Sequence, residues 1–455
     1  MKKFLIILLL SLTTPVLAAP RTHEFMLDNG LKILVREDHR APVVVSQIWY
    51  KVGSSYEPSG ITGISHVLEH MMFKGTENLE PGEFSRLIAA NGGTENAFTS
   101  RDYTAYFQKL GKDRLEISFR LEADRMRRLV LDESELTREL RVVTEERRLR
   151  TDDSPQGLTY EQFNAGAFVT SPYRNPIIGW MTDITSLKVS DLQNWYRRWY
   201  APNNAILVVV GDVDPQQVLA LAKTYFGPLS PSTLQTVKYT PEIPQRGERR
   251  IVVKAPAQLP FLLMGYKTPT LVTAEQPWEP YALEVLAAVL DGGDSARLSR
   301  TLVRGSQVAA SAGADYNLVA RLENLFTLSA TPTPGHSIQE LEQGLRNQIN
   351  LLREELVNEN ELARVIAQVI ATDVYQQDSM FYQGMRMGIL ETTGLGWQAL
   401  DDYIERIKAV SPEQIRDVAR KYLTDDRLTV ALLDPLPLNG KPPGPAALSG
   451  DALLH

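Results

Sequence analysis

The run Ser65-His66-Val67-Leu68-Glu69-His70-Met71-Met72 sets two imidazoles four residues apart with a carboxylate between them. On a helix of 3.6 residues per turn, His66 and His70 stack one above the other about 6 Å apart, and Glu69 projects from the same side. Neutral imidazole nitrogens bind zinc, and a neighbouring carboxylate that is not itself a ligand can take a proton from water. With six histidines and 55 acidic residues in 455 positions, this pattern has a chance expectation on the order of 0.01. The spacing therefore predicts a metal site rather than two histidines that happen to share a helix face.

The chain has no cysteine, which excludes thiol nucleophiles, disulfides and thiolate zinc sites and leaves any metal to histidine and carboxylate. A catalytic zinc takes three protein ligands and keeps one position open, so a third ligand is required. The pair Glu145-Glu146, in a charged helix expected over 134–150, offers one, but spacing alone does not choose it over the other acids nearby. Arg138, Arg141, Arg147, Arg148 and Arg150 alternate with glutamates in that helix and read as a solvated, salt-bridged face.

The elements that must hold these residues occur twice. Val189-Ser190, Trp199-Tyr200 and the apolar run Ala205–Pro215 are echoed by Val410-Ser411, Lys421-Tyr422 and Leu428–Pro435, at offsets of 221, 222 and 220 residues. Each copy reads as an amphipathic helix opened by a serine cap, Ser190 or Ser411, followed by a β-rich strand. Ahead of the first copy, a hairpin is expected at 22–27 and 32–36 around Asn29-Gly30, a strand at 43–52, and helices at 80–90 and 113–131. The fold class is α+β, as two homologous domains from an internal duplication. They are expected at 19–227 and 251–437, joined by a linker, 228–250, that holds Pro228, Pro231, Pro241 and Pro244, and followed by a tail, 438–455. A 221-residue shift sets Ala287, Leu290 and Asp291 opposite His66, Glu69 and His70, and Ala367 opposite Glu146; a 226-residue shift sets Thr372 there instead. In either register the second copy cannot hold zinc.

Composition bounds the rest. With 43% hydrophobic and 23% charged residues the chain is globular, and a net charge of −7 argues against nucleic-acid binding. Residues 1–18 read as a secretory signal peptide, with Lys2 and Lys3, the apolar run Phe4–Leu10 and small residues before a cleavage after Ala18. That run is too short for the roughly 20 residues of a spanning helix, so a periplasmic or secreted protein is expected, with no integral membrane segment after processing.

His66-Val67-Leu68-Glu69-His70 matches the inverted zinc motif HxxEH, and over nearly its whole mature length the chain resembles the pitrilysin and insulinase family, which includes the mitochondrial processing peptidases. The resemblance implies two domains facing each other like a clam around a cleft, one Zn2+ per chain, and a metalloendopeptidase that cuts small or unfolded extended peptides. His66, His70 and, 76 residues on, Glu146 would bind the metal, with Glu69 the catalytic base and Glu139 a supporting carboxylate. Gly92–Thr99 resembles the family's substrate-binding edge strand, which implies peptide contacts from Thr94, Glu95, Asn96, Ala97 and Phe98. Tyr200–Ala205 and Gly211-Asp212-Val213 resemble the end of its first domain. In the family, an arginine and a tyrosine six residues later in the second domain contact the substrate. Here Arg304 is present, Ala310 stands where the tyrosine should be, and Tyr316 lies too far on. The expectation is therefore a dimer, possible as a heterodimer with a related subunit that lacks HxxEH. The competing readings are a non-catalytic scaffold subunit of the same fold, against which the intact His66–His70 motif and the spacing of Glu146 argue, and a zinc-buffering periplasmic protein, in which Glu69 would serve no purpose.

Overall fold

The computed structural model describes residues 22–234, 237–238 and 240–438; the expected signal peptide and the tail from 439 lie outside them. Among the described residues no helix is long and apolar enough to cross a membrane.

Two mixed sheets organise the chain. The first, in the order β1-β2-β6-β3-β5-β4, is built from β1 (Thr22–Met26), β2 (Lys32–Glu37), β3 (Val43–Tyr50), β4 (Thr94–Thr99), β5 (Thr104–Gly111) and β6 (Ala205–Gly211). The second, in the order β7-β11-β8-β10-β9, is built from β7 (Arg249–Pro256), β8 (Phe261–Thr268), β9 (Ala309–Asp315), β10 (Asn324–Pro332) and β11 (Leu428–Leu436). Apart from β1, the two have the same plan: β2 and β6, like β7 and β11, run parallel, and every later neighbour is antiparallel. The repeat in the sequence is thus a repeat of topology, and the α+β class holds.

The longer helices of the first half are α1 (Ile64–Met71), α2 (Glu83–Ala90), α3 (Leu115–Arg128), α4 (Glu133–Arg147) and α5 (Pro155–Ala167), with further ones at Val189–Trp199 and Pro215–Tyr225. The β6 sequence Ala-Ile-Leu-Val-Val-Val-Gly is apolar throughout because the strand is covered on both faces. Leu207 and Val209 join the core with α1 and α3, while Ile206, Val208 and Val210 pack with Met385 and Met387 of the helix Met380–Thr392, which belongs to the second half. Phe163 and Ala167 of α5 return the favour on the second sheet, packing with Ala431 and Leu433 of β11. The halves are therefore less separate than their sequences suggest, since each supplies the cover for one face of the other's sheet.

Two local expectations need correction. Ser190 is not a cap: its helix begins at Val189, and Asp191 reaches back to accept the Lys188 N–H at 3.0 Å, a better acceptor already in place one residue on. Ser411 does cap its helix, with Gln414 closing the reciprocal bond. Nor is the whole arginine series of α4 solvated. Arg147 is buried, with its guanidinium on both oxygens of Glu161 at 2.7 and 2.9 Å and on the Gly179 carbonyl at 2.8 Å, which pins the end of α4. Between the sheets the described residues of 228–248 form no helix or strand, yet Glu242 there accepts the amides of Val169, Thr170 and Ser171 and the Lys267 ammonium, so the connection is strapped down.

Candidate active site

The helix α1 starts at a tight crossing. Gly63 precedes it at φ +86°, and a Cβ there would lie 2.4 Å from the Ile178 carbonyl oxygen, so only glycine fits. No side chain at the cap position serves the first amides of the helix. Glu57 does so instead, accepting the N–H of Gly63 at 2.7 Å and of Ser65 at 2.8 Å. Burial pushes its carboxyl up to about 7 although those amides favour the anion. An acid this far ahead of a helix start carries no local signal, and the sequence alone does not reveal it.

His66 and His70 project from α1 with ring centroids 4.9 Å apart. Two turns of α4 separate Glu139 from Glu146, so both carboxylates face α1. His66 Nε2 lies 3.6 Å from Glu146 Oε1, and His70 Nε2 lies 3.5 Å from Glu146 Oε2. Bonds of about 2.0–2.1 Å in tetrahedral array require ligand atoms roughly 3.3–3.5 Å apart. The two Glu146 distances come close to this, and ligand atoms of all three residues lie within 4.8 Å of one another, so a small adjustment would let them hold a zinc ion; they are the one such cluster among the described residues. His70 Nδ1 lies 3.2 Å from Glu139 Oε2, which leaves Nε2 as the nitrogen that faces the cluster; Lys74 holds the other Glu139 oxygen at 2.7 Å. His66 Nδ1 is buried with no hydrogen-bond partner among the described residues.

The electrostatics of the cluster are uneven. Burial, with His70 beside it, pushes the His66 imidazole down to about 4. Burial opposes a charge on His70 too, but Glu139 and Glu146 lift it to about 9. Against its own desolvation, Glu146 is held at about 2 by His70, His66 and Arg150, whose Nη1 lies 2.7 Å away. Glu69 stands outside the three-residue cluster, and its carboxyl is pushed up to about 7 by burial even though Thr99 Oγ1 donates to it at 2.5 Å. A carboxylate near neutrality, poised beside a metal-binding cluster, has the properties of a general base. Removing the support of Glu139 should loosen His70: Glu139→Gln is expected to weaken zinc affinity or turnover by about 10–100-fold, measured by metal titration and steady-state kinetics. Unchanged values in both would return Glu139 to an ordinary helix carboxylate.

The strand β4 is the open edge of the first sheet, paired on one side with β5. Its side chains divide. Thr94 and Asn96 are exposed, Glu95 turns inward towards Ser85 and Arg125, and Ala97 is in the core. Phe98 packs edge-on against Trp49 and Tyr103 at 5.5 and 6.2 Å. What the edge offers is backbone, and Asn96 Oδ1 covers part of it by accepting the Ala97 N–H at 2.9 Å. The second half brings none of its expected residues here. Arg304 is exposed and donates to the Asp294 carbonyl, with no hydrogen bond or ion pair to the cluster or β4 among the described residues. Ala310 is exposed on β9, and the Tyr316 hydroxyl is spent on the Pro269 carbonyl at 2.6 Å.

Comparison with known proteins gives consistent results. Residues 32–180 match the family model described as Insulinase (Peptidase family M16), and residues 186–369 match that described as the Peptidase M16 inactive domain. The zinc protease PqqE of Helicobacter pylori is 33% identical over 421 residues, which cover 91% of this chain and 93% of the relative. The uncharacterized zinc protease YmxG of Bacillus subtilis is 26% identical over 407 residues, 90% of this chain and 97% of the relative. Among solved structures, a protease from Helicobacter pylori has a TM-score of 0.87 at 31% identity, over 92% of this chain and 100% of that one. The periplasmic protease PqqL of Escherichia coli shares the fold, with a TM-score of 0.78 at 19% identity over 95% of this chain and 49% of that one.

Proposed function

Because the chain belongs to the insulinase (M16) family of peptidases, we propose that it is a zinc metalloendopeptidase acting on small or unfolded peptides in extended form. The observation that carries this reading is the cluster of His66, His70 and Glu146, whose ligand atoms lie within 4.8 Å of one another, with Glu69 beside it and not part of it. Those three residues would hold a zinc ion, which when bound would supply Lewis acidity towards a scissile carbonyl. Glu69 then takes a proton from the attacking water and returns it to the departing amide nitrogen, while Thr99 fixes which carboxylate oxygen is free. The substrate adds to β4 as a further strand, held through main-chain hydrogen bonds with little regard for sequence, and Asn96 must release the Ala97 N–H to admit it.

Two further elements belong to this proposal. Export follows from the signal pattern of 1–18, and a periplasmic protein beginning at Ala19 by mass spectrometry would bear it out. Assembly as a dimer, with a related chain lacking HxxEH as the favoured partner, follows from Ala310 and from the engagement of Arg304 and Tyr316 elsewhere. The experiment is hydrolysis of an unstructured peptide library by the purified chain, with and without a chelator and with zinc restored. We expect cleavage that stops on chelation and returns with zinc, and a higher rate once the partner is added. No hydrolysis by the zinc-loaded chain, alone or with partner, would leave the scaffold reading.

A further inference from the structure

Arg321 belongs to the half without a metal cluster, yet its guanidinium lies in the wall of the half that has one. Its Nε donates to Asp102 Oδ1 at 3.2 Å, its Nη2 donates to Ser55 Oγ at 2.8 Å, and its carbon centre stands 4.4 Å over the Tyr56 ring. Its backbone N–H also donates to Asp102 Oδ2 at 3.1 Å. Asp102 is buried and collects two more donors, Ser55 Oγ at 2.8 Å and the Tyr173 hydroxyl. One cation thus ties together two segments of the other half, 54–57 and 99–102.

Those two segments set the site. The turn that carries Asp102 begins at Thr99, the residue that grips Glu69. The segment that carries Ser55 ends at Glu57, the residue that binds the first amides of α1. They lie in backbone contact: the N–H of Ser54 donates to the Ser100 carbonyl at 3.1 Å and that of Ser55 to the Arg101 carbonyl at 2.8 Å. The approach is close enough that a Cβ on Gly53 would sit 2.2 Å from the Ser100 oxygen. Where two backbones meet this closely, a shift in one is transmitted to the other.

We propose that Arg321 is a positioning residue for the peptidase site: it locks the 54–57 and 99–102 segments together and so holds Glu69 in register with the metal helix. The proposal rests on the peptidase reading, and it gives the second half a part in the reaction that neither Arg304 nor Tyr316 supplies.

The test compares two ties between the halves. Lys32 Nζ bridges to both oxygens of Glu391 at 2.9 Å, away from the 54–57 and 99–102 segments, and serves as the control. Arg321→Ala, which keeps the backbone bond to Asp102, is expected to lower kcat by about 10–100-fold with KM little changed and zinc content intact. Arg321→Lys should recover part of the loss, since an ammonium cannot serve both acceptors as a guanidinium fork does; Arg321→Gln replaces the alanine variant should that chain fail to fold. Lys32→Ala should leave kcat at the wild-type value. Amide exchange in the metal-free proteins is the second readout: residues 53–57 and 99–103 should exchange faster in Arg321→Ala than in Lys32→Ala. An unchanged kcat, a fall no larger than that of Lys32→Ala, or a raised KM with kcat intact would overturn the proposal, as would equal exchange in the two variants. If the wild-type chain cuts no peptide, the peptidase reading fails by itself and the exchange experiment still decides whether Arg321 makes the lock.

Discussion

Glu69→Gln should keep its zinc and lose peptide hydrolysis by about 10²–10⁴-fold, the usual contribution of a positioned acid–base group. The variant isolates chemistry from assembly. Glutamine has the shape of glutamate, and its carboxamide oxygen can still accept the Thr99 hydroxyl that Glu69 accepts at 2.5 Å. It cannot take up a proton. The three residues that converge at metal-ligand spacing are His66, His70 and Glu146, so nothing in the cluster is removed. His66→Ala is the contrasting variant, in which metal and turnover should disappear together. Metal content by elemental analysis and kcat on one reporter peptide, taken on the same preparations, separate the two. A Glu69→Gln protein that cleaves at close to the wild-type rate would remove Glu69 from the mechanism.

Zinc uptake should release at least one proton, and its affinity should fall by about tenfold or more for each pH unit as the pH drops from 9 to 7. The sign follows from the three ligands taken separately. His66, pushed down to about 4, is already neutral and ready in this range, and Glu146, at about 2, is already ionised. His70 is the exception: raised to about 9 between Glu139 and Glu146, it carries a proton at neutral pH that must leave before its nitrogen can bind a metal. One competing proton gives a slope of one. Above about 9 the dependence should flatten, because the proton is gone. Calorimetric titration with zinc in buffers of different ionisation enthalpy counts the protons directly, and Glu139→Gln, by removing one of the two carboxylates that raise His70, should shrink the count at pH 8. Zinc binding with no proton release at pH 7 would show that His70 is neutral in the empty cluster.

What was legible in the sequence was what lies close together in it. The four-residue spacing of His66 and His70 sets their common face because a helix turns every 3.6 residues, and the β-rich apolar run of β6 reads as a strand, whereas its cover on both faces emerges only from the packing. The topological repeat was visible because paired helices and strands recur at one offset. Glu146 lies 76 residues past His70; helix geometry relates it to Glu139 but not to α1, and it was family resemblance that singled it out. Arg321 is 219 residues from Asp102, and no period or motif connects such a pair. Ser190 misled because serine, like the Asp191 after it, is a good helix-start residue, and the choice between them depends on which oxygen reaches an amide. The peptide contacts implied for β4 are those of an edge strand's main chain, and Glu95, Ala97 and Phe98 turn their side chains inward and leave Thr94, Asn96 and the main chain at the edge.

The mutual covering of the two sheets bears on the ancestry of the chain. Phe163 and Ala167 are of no use to the sheet of their own half, and neither are Met385 and Met387 to theirs. A single-half ancestor built on this plan would have left one apolar sheet face bare, and such a protein is stable only when a second copy lends its helix in exchange. A forerunner of one half would then have had to work as a pair of identical chains, each completing the other. Fusion into one polypeptide made the stoichiometry permanent. In such a fused chain, one copy can go on giving its helix to the other without holding a metal cluster of its own.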